Sequence, residues 1–127
     1  MRAKIKLTKT MLNKSIIDAN KTVTKFLDED FGMSYDEAFF TNTYFNTEKD
    51  KFERNRYVVE AEYIDGTEAR VTFYRSEKRG DKRISIQKLK KYADAGDIVS
   101  LYSDSESYGD GTRIFIQVHR PVEEDAA

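Results

Sequence analysis

The stretch Arg56–Arg75, RYVVEAEYIDGTEARVTFYR, decides the fold. Tyr57, Val59, Ala61 and Tyr63 alternate with Val58, Glu60 and Glu62, the two-residue period of a strand with one face on a core. Asp65-Gly66 follows and reads as a two-residue turn, because glycine tolerates the positive φ that a type I′ turn requires. Ala69, Val71 and Phe73 then alternate with Arg70, Thr72 and Tyr74. The expectation is a β-hairpin with its register set by that turn.

The neighbouring segments extend the same class. After the hairpin, SEKRGD forms a basic loop around Gly80, KRISI a short strand and QKLKKYAD a short helix exposing Lys88 and Lys91. DIVSLYSD reads as a strand, SESYGDG as a loop and TRIFIQVHR as the last strand, ahead of Pro121. Toward the N-terminus, Ile5 and Leu7 alternate with Lys4 and Lys6 in another half-buried strand. TMLNKS breaks that alternation and reads as a loop, and Ile16-Ile17 suits a short strand. Val23, Phe26 and Leu27 sit at helical spacing, with Gly32 as a stop signal. The aromatic, Thr-rich segment Ala38–Phe45 predicts a strand and EKDKFERN a loop. About seven short strands and two short helices predict a mainly β protein, a seven-stranded open barrel of antiparallel or mixed strands. One domain over 1–120 and a frayed acidic tail over 121–127 complete the organisation.

Charge is segregated along the chain. The 22 basic and 23 acidic residues leave a net charge of −1. Yet residues 1–25 hold seven basic and one acidic residue, and residues 75–91 hold eight basic and two acidic ones. The intervening and following segments are acidic. If the fold brings the two basic segments together, one face is positive and another negative.

Inventory excludes most catalytic chemistry. With no cysteine and only His119 as histidine, neither a tetrahedral zinc site nor a Cys/His nucleophilic pair can be built within the chain. Gly109–Gly111 is a turn signal and not a phosphate loop. No Asp or Glu is followed two positions later by Lys, the pair that many metal-dependent nucleases carry on a strand. Asp81 precedes Arg83 and Glu68 precedes Arg70, and Arg cannot serve as a base. The expectation is a non-enzymatic chain without cofactor. No apolar run approaches the ~18 residues needed to span a membrane. MRAKIKLTKT lacks the apolar core of an export signal, so a cytoplasmic location is expected.

The order of parts resembles the plant B-three DNA-binding domain and its bacterial relatives, the recognition domains of certain restriction endonucleases. YVVEAEYIDGTEARVTFYR leads into a basic loop, RISIQKLKKYADAGDIVSLY matches the family's strand, short helix and Ala-Gly-Asp turn, and RIFIQV closes the domain. KLTKTMLNKSIIDANKTVTKFL is similar to the family's opening strand, loop and first helix. The likeness covers about four-fifths of the chain. The chain departs from the plant pattern in having no tryptophan, no proline after the first loop and a longer stretch between Phe31 and Arg56, which favours a prokaryotic or phage relative.

The resemblance implies an open seven-stranded pseudobarrel with two short helices. It also implies two arms gripping the DNA major groove, one after the first strand and one between the fourth and fifth. These arms fall on Thr8–Lys14, continuing to Lys21, and on Arg75–Arg83, within the two basic segments. The implied partners are double-stranded DNA and a separate nuclease or effector subunit. The side-chain chemistry of the arms assigns the roles. Lys9, Lys14, Lys78 and Lys82 suit phosphate, with Lys21 beyond the first arm. Arg75, Arg79 and Arg83 carry forks that fit guanine, and Asn13 fits adenine. Thr10 and Ser76 complete the arms. Asp81 accepts from cytosine or caps the loop. Two other readings stay open: a protein-interaction module using the acidic segments, and a nuclease with carboxylates brought together from distant positions.

Overall fold

Residues 2–104 and 113–121 are described by the computed structural model. The SESYGDG loop and residues 122–127 of the expected tail lie outside them. In chain order the elements are β1 (Arg2–Lys6), α1 (Lys9–Lys14), β2 (Ile17–Asp18), α2 (Lys21–Phe31), α3 (Ala38–Thr41), β3 (Thr43–Asn46), β4 (Lys51–Arg54), β5 (Tyr57–Tyr63), β6 (Glu68–Arg75), β7 (Lys82–Ile86), α4 (Leu89–Tyr92), β8 (Ile98–Ser103) and β9 (Arg113–His119). Seven strands form one sheet in the order β1-β8-β9-β5-β6-β7-β2, curled into an open half-barrel. β3 and β4 form a separate two-stranded ribbon.

The central hairpin forms in the register that the alternation requires, Tyr57 opposite Phe73 and Val59 opposite Val71, one residue off the register that a two-residue Asp65-Gly66 turn would set. Its turn differs from the expected one. Gly66 N–H donates to the Tyr63 carbonyl at 2.8 Å, and only Gly66 (φ 88°) is left-handed. This is a three-residue connection, a type I turn followed by a left-handed glycine. The Asp65 carboxylate, which accepts from Thr67 N–H at 2.9 Å, stabilises it.

The core is the concave side of the curl. Ile5, Leu7, Val71, Phe73, Ile114 and Ile116 are all buried, as their alternation predicts. α2 closes the opening with Val23, Phe26 and Leu27. It docks on β1 through Thr22, whose hydroxyl accepts from Lys4 N–H at 2.9 Å, and Asn20, which caps the helix and donates to the Lys4 carbonyl. In β8 Val99 faces the core and the adjacent Ile98 is half-buried. The register explains this. Ile5 lies opposite Val99 and Ala3 opposite Leu101, and directly opposed residues share a face. Tyr57 and Val118 are likewise only partly buried.

Three local expectations are corrected. TMLNKS is not a loop: α1 covers most of it, capped by Thr8, whose hydroxyl accepts from Met11 N–H, and ended by left-handed Ser15. Ala38–Phe45 is not one strand. Burial of Phe40 against Tyr35, ring centroids 5.2 Å apart, holds Ala38–Thr41 in a helical turn, and the strand begins at Thr43. EKDKFERN contains β4, paired with β3 through a turn without glycine. The Asn46 side-chain Oδ1 accepts from the backbone N–H of Glu48 and Lys49, and Asp50 takes the left-handed conformation. There are therefore four helices and not two among the described residues, α3 and α4 being single turns. None of the described helices is long and apolar enough to cross a membrane.

The β5–β9 pairing is the sheet's one parallel contact, and Ile114 opposes Ala61 there with no exposure. Ile114→Ala is expected to lower stability by about 2–5 kcal/mol, through lost burial and the cavity left behind. Urea denaturation checks it: the midpoint falls while the denaturant slope is unchanged.

Candidate functional site

The second basic segment is the connection from β6 to β7, residues 76–81. It closes on itself. Ser76 N–H donates to the Asp81 carbonyl at 2.9 Å, the Ser76 hydroxyl accepts from Asp81 N–H at 2.9 Å, and Gly80 N–H donates to the Ser76 carbonyl. Gly80 is left-handed (φ 73°), which a side-chain-bearing residue rarely adopts. Ser76 is therefore the staple of the loop. Asp81 pairs with Arg83 at 3.3 Å.

Arg75 fixes this loop to the body of the protein. Its Nε donates to the Tyr35 carbonyl at 2.8 Å, one terminal nitrogen donates to the Gly80 carbonyl, and the other to the Asp36 carboxylate at 2.7 Å. The Tyr35 hydroxyl in turn donates to the Arg83 carbonyl at 2.7 Å, and its burial pushes the hydroxyl pKa well above the usual range. Tyr35 thus clamps both strands that carry the loop. The side chain of Arg75 is only 16 % exposed, so its fork is engaged internally and is not offered to a base. Arg83 is also engaged, with Asp81 and with Asp18 at 3.6 Å. Lys82 lies 3.7 Å from Asp36, and Glu77 is held by Lys51 at 3.2 Å. Lys78 and Arg79 remain, exposed at the tip, without an ion pair to any described residue.

Beside the loop lies a cleft of about 440 Å³, lined by Arg56, Tyr74, Arg75, Arg83 and residues of the loop. Its floor is one outward-facing row across the sheet. Tyr57 pairs with Phe73, which brings Arg56 beside Tyr74; Tyr74 pairs with Arg83, and Arg83 with Asp18. The Arg56 guanidinium lies over the Tyr74 ring, 4.5 Å from its centroid. The sequence reading missed Arg56. Its position was legible, since extending the hairpin register one residue past Tyr57 puts Arg56 opposite Tyr74.

The first basic segment reaches this region from the other side. Lys9, Thr10, Asn13 and Lys14 are exposed on α1, and Lys21 is exposed at the start of α2. β2 pairs with β7, and Ala19 N–H donates to the Lys82 carbonyl at 2.9 Å, so both segments meet at the β2–β7 edge. They do not superpose. Met11 and Leu12 of α1 line a mostly apolar groove of about 300 Å³ with Ile86 and Leu89, at the far end of β7 from the loop. The two are separated by the length of that strand, about 15 Å. The structure leaves Lys9–Lys14 one strand length from the loop, and Lys21 follows β2 at the start of α2 without lining the cleft.

The β3–β4 ribbon flanks the loop on its outer side. Lys51 reaches Glu77, and the Arg54 guanidinium lies against Gly80, 3.6 Å from where a Cβ would stand. Phe45 and Phe52 oppose each other on it, ring centroids 5.1 Å apart and both exposed. Hydrogen bonds from Asn46 and Tyr44, with Lys49 nearby, hold the Glu53 carboxyl down to about 2.

Among the described residues no group of three or more His, Asp or Glu is placed to hold a metal ion. His119 Nε2 lies 3.4 Å from the Ser100 hydroxyl. Compared with protein-family models, with curated proteins and with solved structures, the chain matches none.

Two expectations follow for this region. Arg75→Ala leaves the Tyr35 and Gly80 carbonyls without their donor, a loss of roughly 1–3 kcal/mol for each buried group left unpaired. Amide hydrogen exchange at Gly80 and Asp81 should accelerate, while that of β8 and β9 stays slow. The folded pKa of Glu53 lies below its ordinary value of 4.5, so its contribution to the ribbon is present above that pH and lost as pH falls through about 2. Carboxyl-carbon NMR titration should find Glu53 still ionised at pH 3, with the Phe45 and Phe52 ring signals shifting only below that.

Proposed function

We propose that this chain binds double-stranded DNA in a sequence-specific way and does not itself cut it. In this reading it is the recognition module of a restriction-type or regulatory system of prokaryotic or phage origin, acting in the cytoplasm beside a separate nuclease or effector subunit. One observation carries the proposal: the two arms, α1 with β2 and the β6–β7 loop, border the same β2–β7 edge. Beside the second arm lies a cleft whose tip and floor keep Lys78, Arg79 and Arg56 clear of carboxylate partners among the described residues. The separation of α1 from the loop, about 15 Å, is comparable with the roughly 12 Å width of the major groove, so both could engage one duplex. The resemblance to the B-three domains points the same way.

The geometry redistributes the roles within the arms. Lys9, Lys14, Lys21 and Lys78 act as point charges for phosphate. Arg79 and Asn13 are the base readers at the two arm tips. Arg75, Ser76, Asp81 and Arg83 hold the loop in shape, and Lys82 is half-neutralised by Asp36. Absence of cleavage rests on the lone His119, the missing cysteines and the missing acid-x-Lys pair.

A binding selection from random duplex DNA, followed by titrations on the selected and a scrambled site at several salt concentrations, tests the proposal. Affinity should fall with salt at a log–log slope of about −0.9 per phosphate neutralised. Lys14→Ala and Lys78→Ala should weaken binding evenly across sequences and flatten that slope by about one each. Arg79→Ala should cost on the order of 1–3 kcal/mol at one base pair and relax specificity there. No binding to any duplex at low salt would sink the proposal.

A further inference from the structure

Four guanidinium groups line the cleft: Arg56, Arg75, Arg79 and Arg83. Their surroundings separate them. Arg75 is engaged by two carbonyls and a carboxylate, and Arg83 by two carboxylates. Arg79 is exposed at the loop tip with no described group fixing its direction. Arg56 differs from all three. It is exposed, it makes no hydrogen bond or ion pair with a described residue, and its position is nevertheless defined, because its guanidinium carbon lies over the Tyr74 ring, 4.5 Å from the centroid.

A guanidinium held by its face keeps its in-plane N–H edge open. Stacking on an aromatic ring orients the fork without consuming a donor, and the positive group gains from the ring's electron-rich face. The stack itself is anchored. Tyr74 lies near the end of β6, paired with Arg83 of β7, and its neighbours Phe73 and Arg75 are buried in the core and clamped to Tyr35 respectively. Arg56 is therefore the one cation in the cleft that is both unpaired among the described residues and preorganised.

The matching ligand surface is planar, with two acceptors side by side. In duplex DNA that surface is the O6/N7 edge of guanine in the major groove. We infer that Arg56, held on Tyr74, reads a guanine in the floor of the cleft and is the main specificity-determining residue of this chain. The inference rests on the DNA-binding reading above and adds to it the base recognised and the residue that recognises it. A lysine cannot replace it, since an ammonium offers no planar fork.

The test uses the full chain and a duplex obtained by selection with the wild-type protein, with Arg56→Ala, Arg56→Lys and Tyr74→Leu as variants and circular dichroism to confirm that each is folded. Selection with the wild type should give a site with a guanine whose replacement by 7-deazaguanine, which lacks the N7 acceptor, weakens binding. Arg56→Ala and Arg56→Lys should each lose discrimination at that one position, by roughly 5- to 150-fold. The 7-deazaguanine duplex should then bind these two variants as well as the unmodified one does. Tyr74→Leu should lower discrimination at the same position and leave the salt slope unchanged. A wild-type site whose preferences all survive Arg56→Ala overturns the inference and leaves the DNA-binding reading standing. An even loss across all sequences, with a flatter salt slope, also overturns it by making Arg56 a phosphate contact. Failure of the wild type to bind any duplex at low salt removes both.

Discussion

The parallel pairing of β5 with β9 joins two pieces that would otherwise be separate sheets. On one side lies β1-β8-β9 and on the other β5-β6-β7-β2, each antiparallel throughout. Four residue pairs, from Glu60–Arg113 to Tyr63–Ile116, close the seam. Burial and not charge supports it: Ala61, Tyr63, Ile114 and Ile116 are all inside, while the Arg113–Glu62 ion pair is loose at 3.9 Å. The curl that this seam imposes gives α2 a concave side to fill and leaves the outward face of β5–β7 open. The row Arg56, Tyr74, Arg83 exists on that face because β6 and β7 each present one residue at the level of the residue that precedes β5.

What could be read in the sequence, and what could not, divides along the range of the interactions. The β5–β6 register follows from alternation and a nearby glycine, both local. The two basic segments are local too, but the meeting of their arms at one edge depends on the long-range pairing of β2 with β7. Hidden were the features made by side chains acting in place of sequence signals. Asn46 and left-handed Asp50 make a turn that glycine would usually announce. Thr8 caps a helix in a stretch whose Asn and Lys content suggests a loop. Above all, the sequence could not show which cations are free. The partners that engage Arg75, Lys82 and Glu77 are Tyr35, Asp36 and Lys51, from a part of the chain that carries no basic-arm signature.

That last point changes how the near-neutral charge is understood. Segregation along the sequence suggested a positive face balanced by a remote acidic one. Part of the acidic charge is instead threaded into the second arm, where Asp18, Asp36, Glu77 and Asp81 each contact a cation. Surface pairs of this kind contribute little to stability individually. Their effect here is geometric. They hold the loop in one shape, so less conformational freedom is lost when a ligand is engaged, and they lower the diffuse attraction that an equally basic but unpaired loop would exert.

The seating of β1 has a consequence for how the chain assembles. Arg2 lies opposite Tyr102 and Lys6 opposite Ile98, so the first strand made is paired by one of the last. During synthesis the β5–β6–β7 meander has all its neighbours at hand and can close as soon as it emerges. β1 gains this partner only from far along the chain, whereas α2 reaches it through Thr22 across a segment that holds α1 and β2. Closing a loop of that length is entropically the slowest kind of contact to form. The β1–β8 contact is thus the longest-range pairing in the sheet, while the strands that carry the second arm pair locally.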